Sequence, residues 1–102
     1  MKIIAELAVI PIGVGVSLSK YIAECERVLT KRGLTIQLHA EGTNIEGDYD
    51  EVLAAVKACI EAVHKLGAPR LVTTIKISSR TDKPDTLKDR IERVQSHSKT
   101  SL

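Results

Sequence analysis

A near-repeat constrains this chain more than any other feature. Twice in succession an apolar strand leads into a helix whose stripe carries a central cysteine, and the helix returns to a strand. In residues 2–10, Ile3, Ala5, Leu7 and Val9 share one face, with Ile4, Glu6, Ala8 and Ile10 on the other; Pro11 and Gly13 stop the strand. Leu18, Tyr21, Ile22, Cys25, Val28 and Leu29 then recur at helical spacing, with Ser17 or Ser19 as the cap and Gly33 as the end. Residues 34–41 alternate Leu34, Ile36, Leu38 and Ala40 with Thr35, Gln37, His39 and Glu41, which predicts a half-buried strand. Gly42 interrupts that alternation, and residues 43–46 resume it as a short hairpin partner. Asp48 caps a second helix with Tyr49, Val52, Leu53, Val56, Cys59, Ile60 and Val63 on its stripe, closed by Gly67. Residues 70–78 give a fourth strand that turns Leu71, Thr73, Ile75 and Ile77 inward. Pro84 falls in the first turn of a third helix with a narrow stripe of Leu87, Ile91 and Val94. Residues 96–102 read as a flexible polar tail.

The order is βαββαβ plus a C-terminal helix, the ferredoxin-like split βαβ unit in one α+β domain over residues 1–95. A four-stranded antiparallel sheet with strand order 4-1-3-2 would carry two helices on one face. Its other face collects Glu6, Gln37, His39, Glu41, Asn44, Glu46, Thr74 and Lys76 among Ile4, Ala8, Ile10 and Val72. That mixture is too polar for a dry core and too apolar for water alone, so it is expected to meet another subunit, a ligand, or both.

Composition narrows the function classes. Fifteen basic against thirteen acidic residues leave +2, and Tyr21 and Tyr49 are the sole aromatic residues, without Phe or Trp. Neither the charge nor the stacking platform of a nucleic-acid binder is there, so no nucleic-acid partner is expected. No apolar run reaches the roughly 18 residues of a membrane span, and a cytoplasmic protein without a membrane partner is the expectation. Cys25 and Cys59 sit on apolar stripes and read as reduced core residues rather than metal ligands. His64 and His97 lie on helices with no nucleophile arranged beside them, so no catalytic residue, metal or cofactor is expected, and the protein reads as no enzyme. Gly13-Val14-Gly15 lacks the third glycine of a dinucleotide fingerprint and reads as a loop.

Three blocks carry a family resemblance: Val9-Ile10-Pro11-Ile12-Gly13; His39-Ala40-Glu41-Gly42-Thr43-Asn44-Ile45-Glu46-Gly47; and Arg70-Leu71-Val72-Thr73-Thr74-Ile75-Lys76-Ile77 followed by Arg80-Thr81-Asp82-Lys83. Over about residues 3 to 95 the sequence resembles the UPF0045 (DUF77) family of small thiamine-binding, YkoF-like proteins. The resemblance implies a ferredoxin-like fold, self-association into homodimers or homotetramers through the sheets, and non-catalytic binding of thiamine or its hydroxymethylpyrimidine moiety. The chain departs from the family pattern at Val14, where a hydroxyl residue is common, and at Glu41, where Met is common.

The ligand so implied gives several residues a candidate role. His39 and Glu46 share a sheet face and could pair with each other or read an aminopyrimidine, with Thr43 engaging a ring nitrogen. A cationic thiamine favours Glu6, Glu41 and Glu46. Lys76 is placed to pair with Glu6 across strands, or with Arg80 to take a phosphate. Backbone N–H groups of the first loop are further candidates. The candidate ligand-binding set is therefore Pro11, Gly13, Ser17, His39, Glu41, Gly42, Thr43, Glu46, Thr74 and Lys76. Arg80 and Asp82 are expected to close a loop, and Lys88, Arg90 and Arg93 to lie on a solvated helix face. The alternative reading is a structural or regulatory oligomerisation module that binds another metabolite or none.

Overall fold

Strand β1 (Lys2–Ile12) is the long central strand of the computed structural model, which describes residues 1–98. It is followed by α1 (Ser19–Lys31), the hairpin β2 (Thr35–His39) and β3 (Gly42–Asp48), α2 (Tyr49–Lys65), β4 (Arg70–Ser78) and α3 (Leu87–His97). All pairings are antiparallel, in the order β2-β3-β1-β4, so the expected strand order and βαββαβ connectivity are both present.

Alternation on β1 places the core. Ile3, Ala5, Leu7 and Val9 are buried against Tyr21, Cys25 and Leu29 of α1 and Val52, Ala55, Val56, Cys59 and Val63 of α2, with Ile45 of β3 fully enclosed. Each large aliphatic side chain buried this way contributes about 1.5–3 kcal/mol. This layer, made from aliphatic residues, Tyr21 and two thiols, does the work that Phe and Trp do in other small cores. Gly33 and Gly67, at φ 77° and 105°, let the chain leave α1 and α2 in a left-handed step that costs other residues strain.

The elements differ from the sequence reading in several places: β2 is shorter than residues 34–41, and β3 extends beyond 43–46 at both ends. β1 runs through Pro11 to Ile12 rather than stopping at Ile10. Its β3 side is unpaired beyond Leu7↔Thr43, so a residue without an N–H is tolerated there while pairing with β4 continues to Ile12↔Arg70. Leu18 occupies the N-cap of α1 and no side chain caps the helix, so neither Ser17 nor Ser19 has that role. The cap of α3 is Thr86, whose hydroxyl accepts from the Asp89 N–H at 3.0 Å, which leaves Pro84 in the preceding loop. Ser96 and His97 belong to α3; the rest of the expected tail, from residue 99, lies outside the described residues. Asp48 does cap α2, accepting from the Asp50 N–H at 3.3 Å.

The third helix changes the account of the open sheet face. Leu87 and Ile4 are 9% and 8% exposed because the start of α3 covers the face at the beginning of β1. Asp85 anchors this helix. Its carboxylate accepts from Arg90 Nε at 2.6 Å and from Arg93 Nη2 at 2.5 Å, and these guanidinium groups hold it below the usual carboxylate range, Arg93 contributing most. Arg90 also donates to Ser78 Oγ at 3.2 Å. Of the three cations expected to lie in water, Lys88 pairs with Glu92 on the surface, but Arg90 and Arg93 turn to Asp85. Arg80 closes its loop on Asp82 at 2.7 Å, and that contact lowers the Asp82 pKa to about 2.

Candidate ligand site

The sheet parts where β1 loses β3 as a neighbour. β3 begins at Gly42, whereas β1 continues for five residues past Leu7, so the backbone edge of Ala8, Val9 and Ile10 has no strand beside it on that side. The β2–β3 turn, Ala40 and Glu41, lies opposite, and Ile22 and Cys25 of α1 close the gap from below. The result is a cavity of about 200 Å³ lined by Leu7 to Ile10, Leu38 to Thr43, Ile22 and Cys25.

The turn is held by side chains because its own residues lack the positive φ that favours two-residue hairpins. His39 Nδ1 accepts from the Glu41 N–H at 3.3 Å. An accepting Nδ1 puts the proton of a neutral ring on Nε2. That atom is shielded from solvent and 3.5 Å from Glu6 Oε2, without a hydrogen-bond partner. Gly42 sits under the imidazole and beside β1. A Cβ there would lie 2.9 Å from the Leu7 carbonyl oxygen and 3.5 Å from His39 Cε1, so glycine is what lets the hairpin close.

Thr43 faces the helix layer and is almost fully buried; its hydroxyl donates to Glu26 Oε2 at 2.8 Å. With its proton committed to Glu26, the hydroxyl has lone pairs left to accept. Glu6, Glu26 and Glu41 place three carboxylates around this end of the sheet, and Lys76, mostly exposed, reaches Glu6 at 4.0 Å as the expected cross-strand pair.

Four of the ten candidate residues, His39, Glu41, Gly42 and Thr43, therefore line one cavity. The others lie elsewhere. Pro11 is buried further along β1, opposite Leu71. Gly13 and Ser17 are exposed in the first loop. Thr74 is exposed on the open face opposite Ala8, and Lys76 stands beside it on β4. Glu46 is at the far end of the hairpin, pairing with Thr35, and its carboxylate accepts from the Leu87 N–H at 3.1 Å. It thus closes the first turn of α3, and the pairing of Glu46 with His39 does not occur. Glu26, Ile22, Cys25 and the β1 edge were not among the candidates. Glu26 lies four residues after Ile22, at the border of the α1 stripe, and that spacing was the available signal. Among the described residues no group of three or more His, Cys, Asp and Glu is placed to hold a metal, and no helix is long and apolar enough to cross a membrane.

Residues 5–95 match the family model described as thiamine-binding protein. The chain belongs to that family. A UPF0045 protein of Synechocystis is 53% identical over 95 residues, covering 93% of this chain and 78% of its own. A UPF0045 protein of Methanocaldococcus jannaschii is 37% identical over 93 residues, and a crystal structure of the M. jannaschii protein superimposes with a TM-score of 0.88 over 92% of this chain and 96% of that one. A Thermotoga maritima structure described as a candidate thiamine biosynthesis/salvage protein shares the fold, with a TM-score of 0.81 over 92% of this chain and 99% of its own at 18% identity.

Proposed function

We propose that this member of the thiamine-binding family binds thiamine or its hydroxymethylpyrimidine moiety reversibly, without catalysis, in the cavity between the β1 edge and the β2–β3 turn. The observation that carries the reading is the unpaired backbone edge of Ala8 to Ile10 inside a partly open, largely apolar gap. A strand edge offers N–H donors and carbonyl acceptors in alternation. An aminopyrimidine offers the complement, an amine donor next to a ring-nitrogen acceptor, and so can occupy the place a strand would take. Thr43 Oγ1 adds an acceptor. Ile22, Leu38 and Val9 supply apolar contact for the ring faces, the usual division of labour in a small-molecule pocket.

Size and charge support the same ligand class. A cavity of about 200 Å³ is smaller than the roughly 300–1,000 Å³ typical of larger ligands and suits a single ring. The thiazolium of intact thiamine would then lie toward the mouth, where the Glu41 carboxylate favours a cation and Glu6 stands behind His39. Self-association through the uncovered half of the sheet would enclose that part. Ile10 and Val72, directly paired, are 41% and 47% exposed there. These same exposed residues favour the second reading, an oligomerisation module whose ligand is different or absent.

Isothermal titration with hydroxymethylpyrimidine and with thiamine separates the two. The proposal expects saturable binding of both, and oligomers by light scattering. No heat from either at high protein concentration, with oligomers still present, leaves the second reading.

A further inference from the structure

Two thiols meet beneath the cavity. Cys25 of α1 and Cys59 of α2 are both buried and free, the central residues of their stripes. Cys59 Sγ donates to the Cys25 carbonyl oxygen at 3.7 Å, which puts the two residues in contact across the helix interface. They differ in access: Cys25 lines the cavity and Cys59 does not.

We propose that Cys25 and Cys59 are a redox-active dithiol that closes to a reversible disulfide between α1 and α2, with small disulfides entering through the cavity. A disulfide needs Cβ atoms about 3.5–4.5 Å apart, and the 3.7 Å contact of Cys59 Sγ with the Cys25 carbonyl oxygen makes the two residues direct neighbours. Cys25 is the attacking sulfur and Cys59 the resolving one. Its neighbour Cys59 holds the Cys25 pKa below its ordinary value, whereas the neighbouring Cys25 and then burial push Cys59 up. Attack by the Cys25 thiolate on a small disulfide RSSR forms a Cys25–S–S–R bond and releases RS⁻, which takes up the proton Cys25 gave to water. Cys59 then loses its proton, attacks Cys25 Sγ and expels the second RS⁻, which is protonated in turn. In sum two protein thiols are oxidised, and RSSR takes two electrons and two protons to become two RSH.

Making the bond draws Cys25 Sγ toward Cys59 and alters the cavity wall. Any effect on ligand affinity rests on the proposed function above; the disulfide itself does not.

The test uses the full-length folded protein and 2-hydroxyethyl disulfide, a reagent small enough for the cavity, followed by non-reducing tryptic mass mapping. The expected product joins residues 21–27 to residues 58–65 within one chain, lighter by two hydrogens and restored by dithiothreitol. In Cys59→Ser the reaction should stop at the mixed disulfide on Cys25. In Cys25→Ser, Cys59 should react about tenfold more slowly or not at all, as a buried thiol without access does. Cysteines that stay unmodified in the folded protein but react in urea would overturn the proposal. So would a wild-type product that stops at the mixed disulfide, a cross-link between chains, or equal reactivity of Cys59 in Cys25→Ser. The wild-type arm decides the matter even where a variant fails to fold.

Discussion

The two ends of the open sheet face use the same strands and are finished in opposite ways. At the start of β1, α3 lies over Ile4 and buries Leu87, Glu46 accepts the first helical N–H, and Asp85 takes two arginines. Polar groups there satisfy one another within the chain. At the end of β1, Ile10 and Val72 stay exposed, a backbone edge has no strand beside it, and His39 Nε2 is shielded without a hydrogen-bond partner. Buried polar groups are ordinarily satisfied in native proteins, and this end of the sheet holds the exception. The comparison teaches that one carboxylate, Glu46, can look like a ligand group in sequence and yet belong to the self-contained end.

Substitutions at each end can break this division. Leu87→Ala should lower unfolding free energy in urea by about 2–3 kcal/mol, as expected for a buried Leu, with pyrimidine affinity unchanged. Reduced affinity in a folded Leu87→Ala protein would show that the ends are not independent. Thr43→Val keeps the shape but removes the acceptor, and should weaken pyrimidine binding about tenfold in titration calorimetry, the upper range for one neutral hydrogen bond. Glu46→Gln retains an accepting oxygen for Leu87 and should cost only about 0.5 kcal/mol of stability and no affinity. An affinity loss matching that of Thr43→Val would return Glu46 to the site.

The smallest effect expected is in acid. Asp82 and Asp85 have lowered folded-state pKa values, from Arg80 and from Arg93 with Arg90. Their contribution is thus complete above the unfolded value near 3.9 and is lost as pH falls through the folded ones, for Asp82 about 2. Far-UV circular dichroism of wild type and Asp85→Asn between pH 5 and pH 2 should converge as pH drops. A gap that widens in acid would contradict the sign.

Much of this division was legible in the sequence. Alternation in β1, β2 and β4 and the two cysteine-centred stripes specify faces and partners, because side-chain period follows backbone period. Alternation puts Glu6 and Lys76 on one face, and the strand register then sets them opposite each other. The cavity was only half legible. His39, Glu41, Gly42 and Thr43 are close in sequence, but the β1 edge is left open only because β1 runs on past the start of β3, and relative strand length is a tertiary property. The Glu46 contact with α3 was illegible for a related reason: alternation assigns Glu46 a face, and nothing local states that α3 folds back over that face. Ser17 and Ser19 have the right chemistry for a cap, but Leu18 occupies the position.

The account rests on the end of β1 being the place where a heterocycle binds. Backbone amide chemical-shift mapping during titration with hydroxymethylpyrimidine tests this directly. The prediction is saturable shifts at residues 7–10, 22–25 and 38–43, with residues 85–91 unmoved. Shifts centred on α3 and Glu46, or none at saturating ligand, would contradict it.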